Sequence, residues 1–396
     1  MYLFSLRLAG LLPMRKSLLL LSFIASFCIF AEDVSVKPAG EGTAENPYLF
    51  DRLENFFWLR QNILEMDPEV PVYCKQIKNI DASATQDGGD YAWQTIEFNK
   101  HFFVYDGQCY TIYGLEPEEK AALFGTGYFQ LKNIRIQGAE GKKTCSLAEI
   151  LYSSPEKKGF LENCRIKGLI VGSPALVSTV SGSDVRIEDC VVEADIENLE
   201  GSGALIQRFA SFGPCSIKSS CFKGKIETTN TSIAGLIYCV YLFSNAAVTI
   251  EDCYSDFEVS VGSEDVCWFA GMIQLFFPVG GAATNSTVNI ERCYISGTLK
   301  GSLSANSKAF ISDAPSINTL NVKHCYYDET MNLSDDYAMA KTDEEMKQKA
   351  TFENWDFENV WDIDEDEGMP YLRCEVPEPF GMVALILLLL LKKLGH

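Results

Sequence analysis

Asp189 and Asp252 are the residues of this chain nearest to a catalytic pattern. Each sits in the sequence Ile-Glu-Asp-Cys, after Glu188 and Glu251, so the pair recurs at one place in a repeated turn. Carboxylates brought to one edge could hold calcium or a glycan, and a glycosidase needs two of them flanking the scissile bond. The equivalent places elsewhere hold Asn163, Ser219, Arg292 and His324. A solvated turn that favours Asp accounts for this mixture better than a shared reaction does. A lyase would want an Arg or Lys base beside acidic metal ligands, and no such set stands out. Asp362, Asp364 and Asp366 have the alternate spacing of a calcium loop, but Glu367 stands where an EF-hand needs glycine and Arg373 where it needs glutamate. The histidines (101, 324 and 396) are scattered and no Cys-x-x-Cys pair occurs, so metal-ligand spacing is missing. The residues name no catalytic group, cofactor or metal site.

One row of side chains offers binding chemistry instead. Tyr254, Tyr294 and Tyr326 each follow a cysteine at one place in a repeat, with Val191 and Cys221 at the matching places. They should point outward. Stacked, exposed tyrosines could bind sugars through their ring faces. The same row could equally pack beneath a loop.

The repeat that positions these residues is legible in FQLKNIRIQG, GFLENCRIKG, VRIEDCVVEADI, CSIKSSCFKGKI, VTIEDCYSDFEV, VNIERCYISGTL and LNVKHCYYDE. All share an apolar, any, apolar, two-polar pattern, then a small or apolar slot. The slot residues are Ile134, Cys164, Cys190, Ser220, Cys253, Cys293 and Cys325, separated by 30, 26, 30, 33, 40 and 32 residues. A second apolar run in each repeat (PALVSTV, GALIQRF, AGLIYCV, AGMIQLF, KAFISDA) also reads as a strand. Short strands at such a period form a solenoid or a propeller, and a blade usually needs about 40 residues. A coil tolerates the variation because extra residues go into loops. The expected fold is all-β, a right-handed parallel β-helix. Slot residues stacked about 4.8 Å apart would then form an interior ladder, with cysteine acting as a small buried hydrophobe rather than forming disulfides. Apolar residues at 49, 53, 56, 57, 63 and 64 have helical spacing and predict a short helix covering the N-terminal end of the coil. The aromatic cluster at 352–371 could cover the other end.

The coil region resembles bacterial surface β-helices carrying the GLUG-type repeat. GEGTAENPYLF (40–50) is similar to their opening, KNIDAS, WQTI and FFVYDGQCYTIYGL to the segment leading into the repeats, and TFENWDFENVWDIDEDEGMPYL (351–372) to their close. The second run lacks a regular Gly-Leu-x-Gly.

Both ends are apolar. From Met14, an alternative start, Arg15 and Lys16 precede an apolar stretch over 18–30 and the small Ala31, the layout of a secretory signal. At the other end Pro377, Glu378 and Pro379 precede twelve apolar residues (380–391) and then Lys392 and Lys393. That tail resembles the PEP-CTERM sorting signal, although its apolar segment is short and lysines replace the usual arginines. The resemblance implies recognition by an exosortase-type processing enzyme, removal of the tail, delivery to the cell surface or extracellular matrix, and a transmembrane anchor before processing. A plain membrane anchor is the alternative. The expected organisation is a signal peptide (1–31), an N-terminal cap with helix (32–72), the β-helix (73–335), a C-terminal cap (336–375) and the sorting signal or transmembrane segment (376–396).

Acidic residues outnumber basic ones 54 to 33, giving a net charge of −21, which disfavours nucleic acid and anionic membrane surfaces as partners. The expectation is an exported structural or adhesive β-helix that binds extracellular polysaccharide. The alternative is a carbohydrate-active enzyme, a polysaccharide lyase or glycoside hydrolase, on the same coil.

Overall fold

A computed structural model describes residues 34–376, apart from 119, 200, 230–231, 263–265, 280–284 and 315–316. The signal peptide, the Pro-Glu-Pro motif, the apolar tail and its two lysines lie outside the described residues. Among the described residues no helix is long and apolar enough to cross a membrane.

The chain winds as a parallel β-helix. Every strand pairing within the coils is parallel, and each strand meets its counterpart one coil before and one coil after. One face is a 10-stranded sheet running from Ile80–Asp81 to Met339–Lys341. Two further faces belong to a 16-stranded sheet, joined because the long strand Ala122–Lys132 pairs with Ser146–Ser153 through its first half and with Phe160–Glu162 through its second. A small 4-stranded sheet is inserted from Ser202 onward.

Period-two alternation drives this arrangement. In the 10-stranded sheet Ile112, Ile136, Ile166, Val192, Phe222 and Ile295 lie in register and are buried. Each such side chain contributes about 1.5–3 kcal/mol by leaving water. The helix α1 (Leu53–Asn62) buries Leu53, Phe56, Phe57 and Leu59 over the first coil. Phe56 packs edge-on against Phe50 and Trp93. The Asn55 side-chain oxygen accepts from the Asp51 and Arg52 amides and fixes where α1 begins.

The far end is not covered by the aromatic cluster. The 329–338 loop sits there instead, with the Asp335 carboxylate accepting from the Phe310 and Ile311 amides and the Ser334 carbonyl from the Ala309 amide. The aromatic segment turns back and runs down the outside of the 10-stranded sheet. Trp355 and Trp361 are buried there against Tyr254, Tyr294 and Tyr326. Those tyrosines are the reason: they already present an apolar ledge several coils long, which a plug at the open end would leave wet.

Candidate functional site

The turn aspartates are explained by backbone conformation. Asn133, Asn163, Asp189, Ser219, Asp252, Arg292 and His324 occupy one column, all in the left-handed region with φ between 44° and 55°. Asn and Asp tolerate this conformation best among residues with a side chain. Asp252 is buried. It accepts from Arg292 Nε at 2.9 Å and from Trp361 Nε1 at 2.9 Å, so it ties the C-terminal segment to the coil. Burial, then Glu188 and Glu162, raises the Asp189 carboxyl. The three aspartates of 362–366 do not converge: Asp362 pairs with Arg373 at 3.0 Å and Asp366 accepts from Gln348. His101 is buried with its ring nitrogens 2.7 and 3.0 Å from the Phe98 and Met66 carbonyls.

The slot residues Ile134, Cys164, Cys190, Ser220, Cys253, Cys293 and Cys325 stand next to that column and are all buried. The cysteines are free thiols. Each thiol faces the carbonyl two residues back: Cys190 that of Glu188 at 3.4 Å, Cys253 that of Glu251 at 3.1 Å, Cys293 that of Glu291 at 3.3 Å and Cys325 that of Lys323 at 3.2 Å. The Ser220 hydroxyl makes the same bond to Lys218 at 2.8 Å. These carbonyls also accept from the turn amide of the preceding coil, Glu188 from Asn163 and Glu291 from Asp252, and Ile134 fills the slot without a donor, so the slot selects for burial and fit while Cys and Ser add a second bond. Burial pushes the thiols of Cys190, Cys293 and Cys325 well up, which keeps them protonated as donors.

Tyr254, Tyr294 and Tyr326 do point away from the interior, but they do not meet solvent. They are at most 1% exposed. Tyr254 and Tyr294 stack with centroids 4.7 Å apart, and the hydroxyls bond the returning segment at successive points. Tyr326 accepts from the Glu353 amide, Tyr294 donates to the Pro370 carbonyl, and Tyr254 donates to the Glu375 carboxylate. A glycan-stacking row is thus ruled out for these residues in this conformation; they are the seat of a C-terminal strap over residues 342–376. The signal was present in the sequence as two aromatic sets, each too apolar to stay exposed.

Open surface begins where the strap ends. On the 10-stranded sheet a groove of about 760 Å³ runs along the bend formed by Gly138, Gly168, Ala194 and Gly224. Gly168 and Gly224 take φ of 139° and 143°, values that essentially only glycine adopts, and this bends the strands. Lys167, Glu193 and Lys223 line one side, and Asp195 and Lys225 the other. Four coils at about 4.8 Å spacing make a trough roughly 14 Å long. Its lysines are paired, Lys167 with Glu193 at 3.1 Å, Lys223 with Glu375 and Lys225 with Glu258 one coil on, whereas Glu140, Asp195, Glu197 and Glu227 have no ion-pair partner among the described residues.

A second pocket of about 290 Å³ shares Gln137, Lys167 and Glu193 with this groove and adds Thr111, Arg135 and Arg165. On a different face, Glu97 and Glu149 approach each other across Gly125. That glycine lies between them in register, and the Glu97 carboxylate fills the space a side chain there would take. Burial, then the charge of Glu97, raises the Glu149 carboxyl. A raised carboxyl binds its proton more tightly folded than unfolded, so stability falls as pH rises through the window above the ordinary value of 4.5. Glu149→Gln is therefore expected to raise the melting temperature at pH 7, with the gain shrinking towards pH 4. A constant difference across that range would show that the pair is not the cause.

No protein-family profile matches the chain, and no curated protein sequence matches it. A solved structure that resembles it is described as a "putative immunoglobulin A1 protease" from Bacteroides ovatus. The match has a TM-score of 0.53 and 16% identity over 86% of this chain and 96% of that one. At this identity the likeness shows the fold, a parallel β-solenoid.

Proposed function

We propose that the protein is an exported, surface-sorted β-helix that holds a stretch of extended, largely neutral extracellular polysaccharide in the groove along Gly138, Gly168, Ala194 and Gly224. The observation that carries this reading is the groove itself: an open trough several coils long, with its floor at a row of glycines and one alanine and its walls lined by paired lysines and by unpaired acids that turn away a densely anionic chain. A linear polymer can follow such a trough from coil to coil. Export and sorting rest on the basic-apolar start after Met14 and on the Pro377-Glu378-Pro379 tail. They bring with them an exosortase-type processing enzyme as a partner. The strap closes the aromatic face and leaves the trough open to a ligand.

The test is retention of the purified protein on immobilised polysaccharides, with wild type beside Glu193→Trp. Glu193 is exposed on the groove wall, so an indole there blocks the trough while removing only a surface ion pair worth about 0–1 kcal/mol. The expected result is a loss of retention of tenfold or more with an unchanged melting temperature. Equal retention by both proteins would place binding elsewhere.

A second reading, an enzyme on the same coil, has one specific observation behind it: two carboxylates, Glu97 and Glu149, meet across Gly125, and burial and the charge of Glu97 raise the Glu149 carboxyl, as an acid catalyst requires. New chain ends released from the polymer by wild type and not by Glu149→Gln would establish that reading. Retention without new ends would leave binding as the function.

A further inference from the structure

We propose that the pocket formed by Arg135, Arg165 and Thr111 is a carboxylate-binding subsite, and that the polysaccharide in the adjoining groove carries a uronic acid which this pocket receives. The subsite rests on the reading of the groove as a polysaccharide site and deepens it by naming a charged group on the ligand.

Some rungs of the coil carry opposite charges, as Lys167 beside Glu193 and Lys225 beside Glu258 do, and others carry two acids, as Glu197 beside Glu227 does. Arg135 and Arg165 form a rung of two cations. They are register partners on consecutive coils, flanked in the same column by Thr111 and Val191. Like charges directly opposite one another destabilise a pair of strands, and in a chain of net charge −21 an acidic neighbour would have been easy to supply.

The donors are also left over. Arg165 spends two of its nitrogens on the strap, Nη1 on the Glu375 carbonyl at 2.6 Å and Nη2 on the Cys374 carbonyl. Its Nε is buried and has no partner, and leaving a buried donor unmet costs about 1–3 kcal/mol. The Arg135 guanidinium makes no ion pair or hydrogen bond among the described residues. The neighbouring carboxylates are already engaged: Glu193 with Lys167 at 3.1 Å, and Glu375 with Lys223, Tyr254 and the Leu372 amide. Arg135 therefore presents its guanidinium donors to a small planar anion, the geometry such groups offer a carboxylate, with the Arg165 cation beside it.

The adjoining groove says what kind of molecule brings that anion. Gln137, Lys167 and Glu193 line both cavities, so a polymer lying in the trough passes the arginines. Glu140, Asp195, Glu197 and Glu227 also line the trough and would repel a polymer charged on every ring. A neutral chain with an occasional uronate satisfies both cavities.

The experiment uses the full chain and gellan, whose repeat carries one glucuronate among neutral sugars, beside gellan whose carboxyls have been reduced to alcohols. Free glucuronate is titrated in parallel and followed by the melting temperature. Wild type should retain gellan at least tenfold better than the reduced polymer, and Arg135→Gln should lower gellan retention to the reduced level without affecting the reduced polymer. Glucuronate should stabilise wild type and not Arg135→Gln, with Arg135→Lys partly restoring the effect. Equal retention of both polymers by wild type, or equal losses of both in Arg135→Gln, would overturn the subsite and leave the groove standing. If neither polymer is retained, the glucuronate titration decides alone: stabilisation lost in Arg135→Gln upholds the subsite while the groove reading fails, and no stabilisation overturns the subsite too.

Discussion

Trp361→Ala is expected to release the C-terminal strap from the coil. Trp361 is fully buried, lies 4.3 Å from Trp355 and about 6 Å from Tyr254 and Tyr294 between ring centroids, and donates to Asp252. Truncating a buried tryptophan costs about 3–5 kcal/mol. Here the loss also strands part of the Asp252 carboxylate. The coil has its own core, so the penalty should fall on the strap first: amide exchange and protease cutting between 342 and 376 should accelerate by two orders of magnitude or more, while the coil strands stay protected. Trp361→Phe, which keeps most of the packing, should sit between the two. Cutting of the alanine variant at the wild-type rate would mean that the strap is held elsewhere, and the ion pair of Glu375 with Lys223 would be the next place to look. Release would also uncover Tyr254, Tyr294 and Tyr326, so the variant should bind hydrophobic dyes that wild type does not.

The second large effect is expected from Gly297→Ala. Gly297 has a φ of 139°, and a Cβ there would lie 2.0 Å from the Phe257 carbonyl oxygen on the neighbouring coil. Main chain cannot rotate out of the way as a long side chain would. The unfavourable φ alone costs about 1–3 kcal/mol, and the clash forces the coils apart, so a total of about 3 kcal/mol or more is expected in chemical denaturation. Gly89→Ala is the control. Its φ of 64° is also positive, but nothing lies within 4 Å, and it should cost only about 1 kcal/mol. If the two variants lose equal stability, backbone strain and not coil contact explains the glycine column at 168, 224 and 297.

The contrast between these two predictions bears on what could be read from the chain alone. The coil was legible because its cause is local and repeated. Period-two alternation, a turn every coil and a small slot residue recur seven times, and each repeat confirms the others. The N-terminal helix was legible for the same reason, since Leu53, Phe56, Phe57 and Ile63 share one face without reference to anything distant. The chemistry of the slot was only half legible. A buried side chain was required by stacking, but the bond that Cys and Ser add to the carbonyl two residues back needed the left-handed turn to be seen.

Tyr254, Tyr294 and Tyr326 were assigned the correct side of the sheet, and only the tertiary structure decided whether water or chain lay over them. That choice is made by residues 26 to 121 positions away, such as Phe352 and Glu375, and nothing local to the tyrosines encodes it. The groove and the Glu97–Glu149 pair belong to the same class, since each is a relation between neighbouring coils outside the aligned repeat. Arg135 and Arg165 directly follow the slot residues Ile134 and Cys164, so their register was legible, but what their guanidinium groups meet was not. The sequence by itself determined that the chain would coil, which face each repeat would bury and where a cap helix would form. Tertiary structure decided which outward faces stay open, because that depends on where the last segment of the chain finds enough apolar surface to lie down.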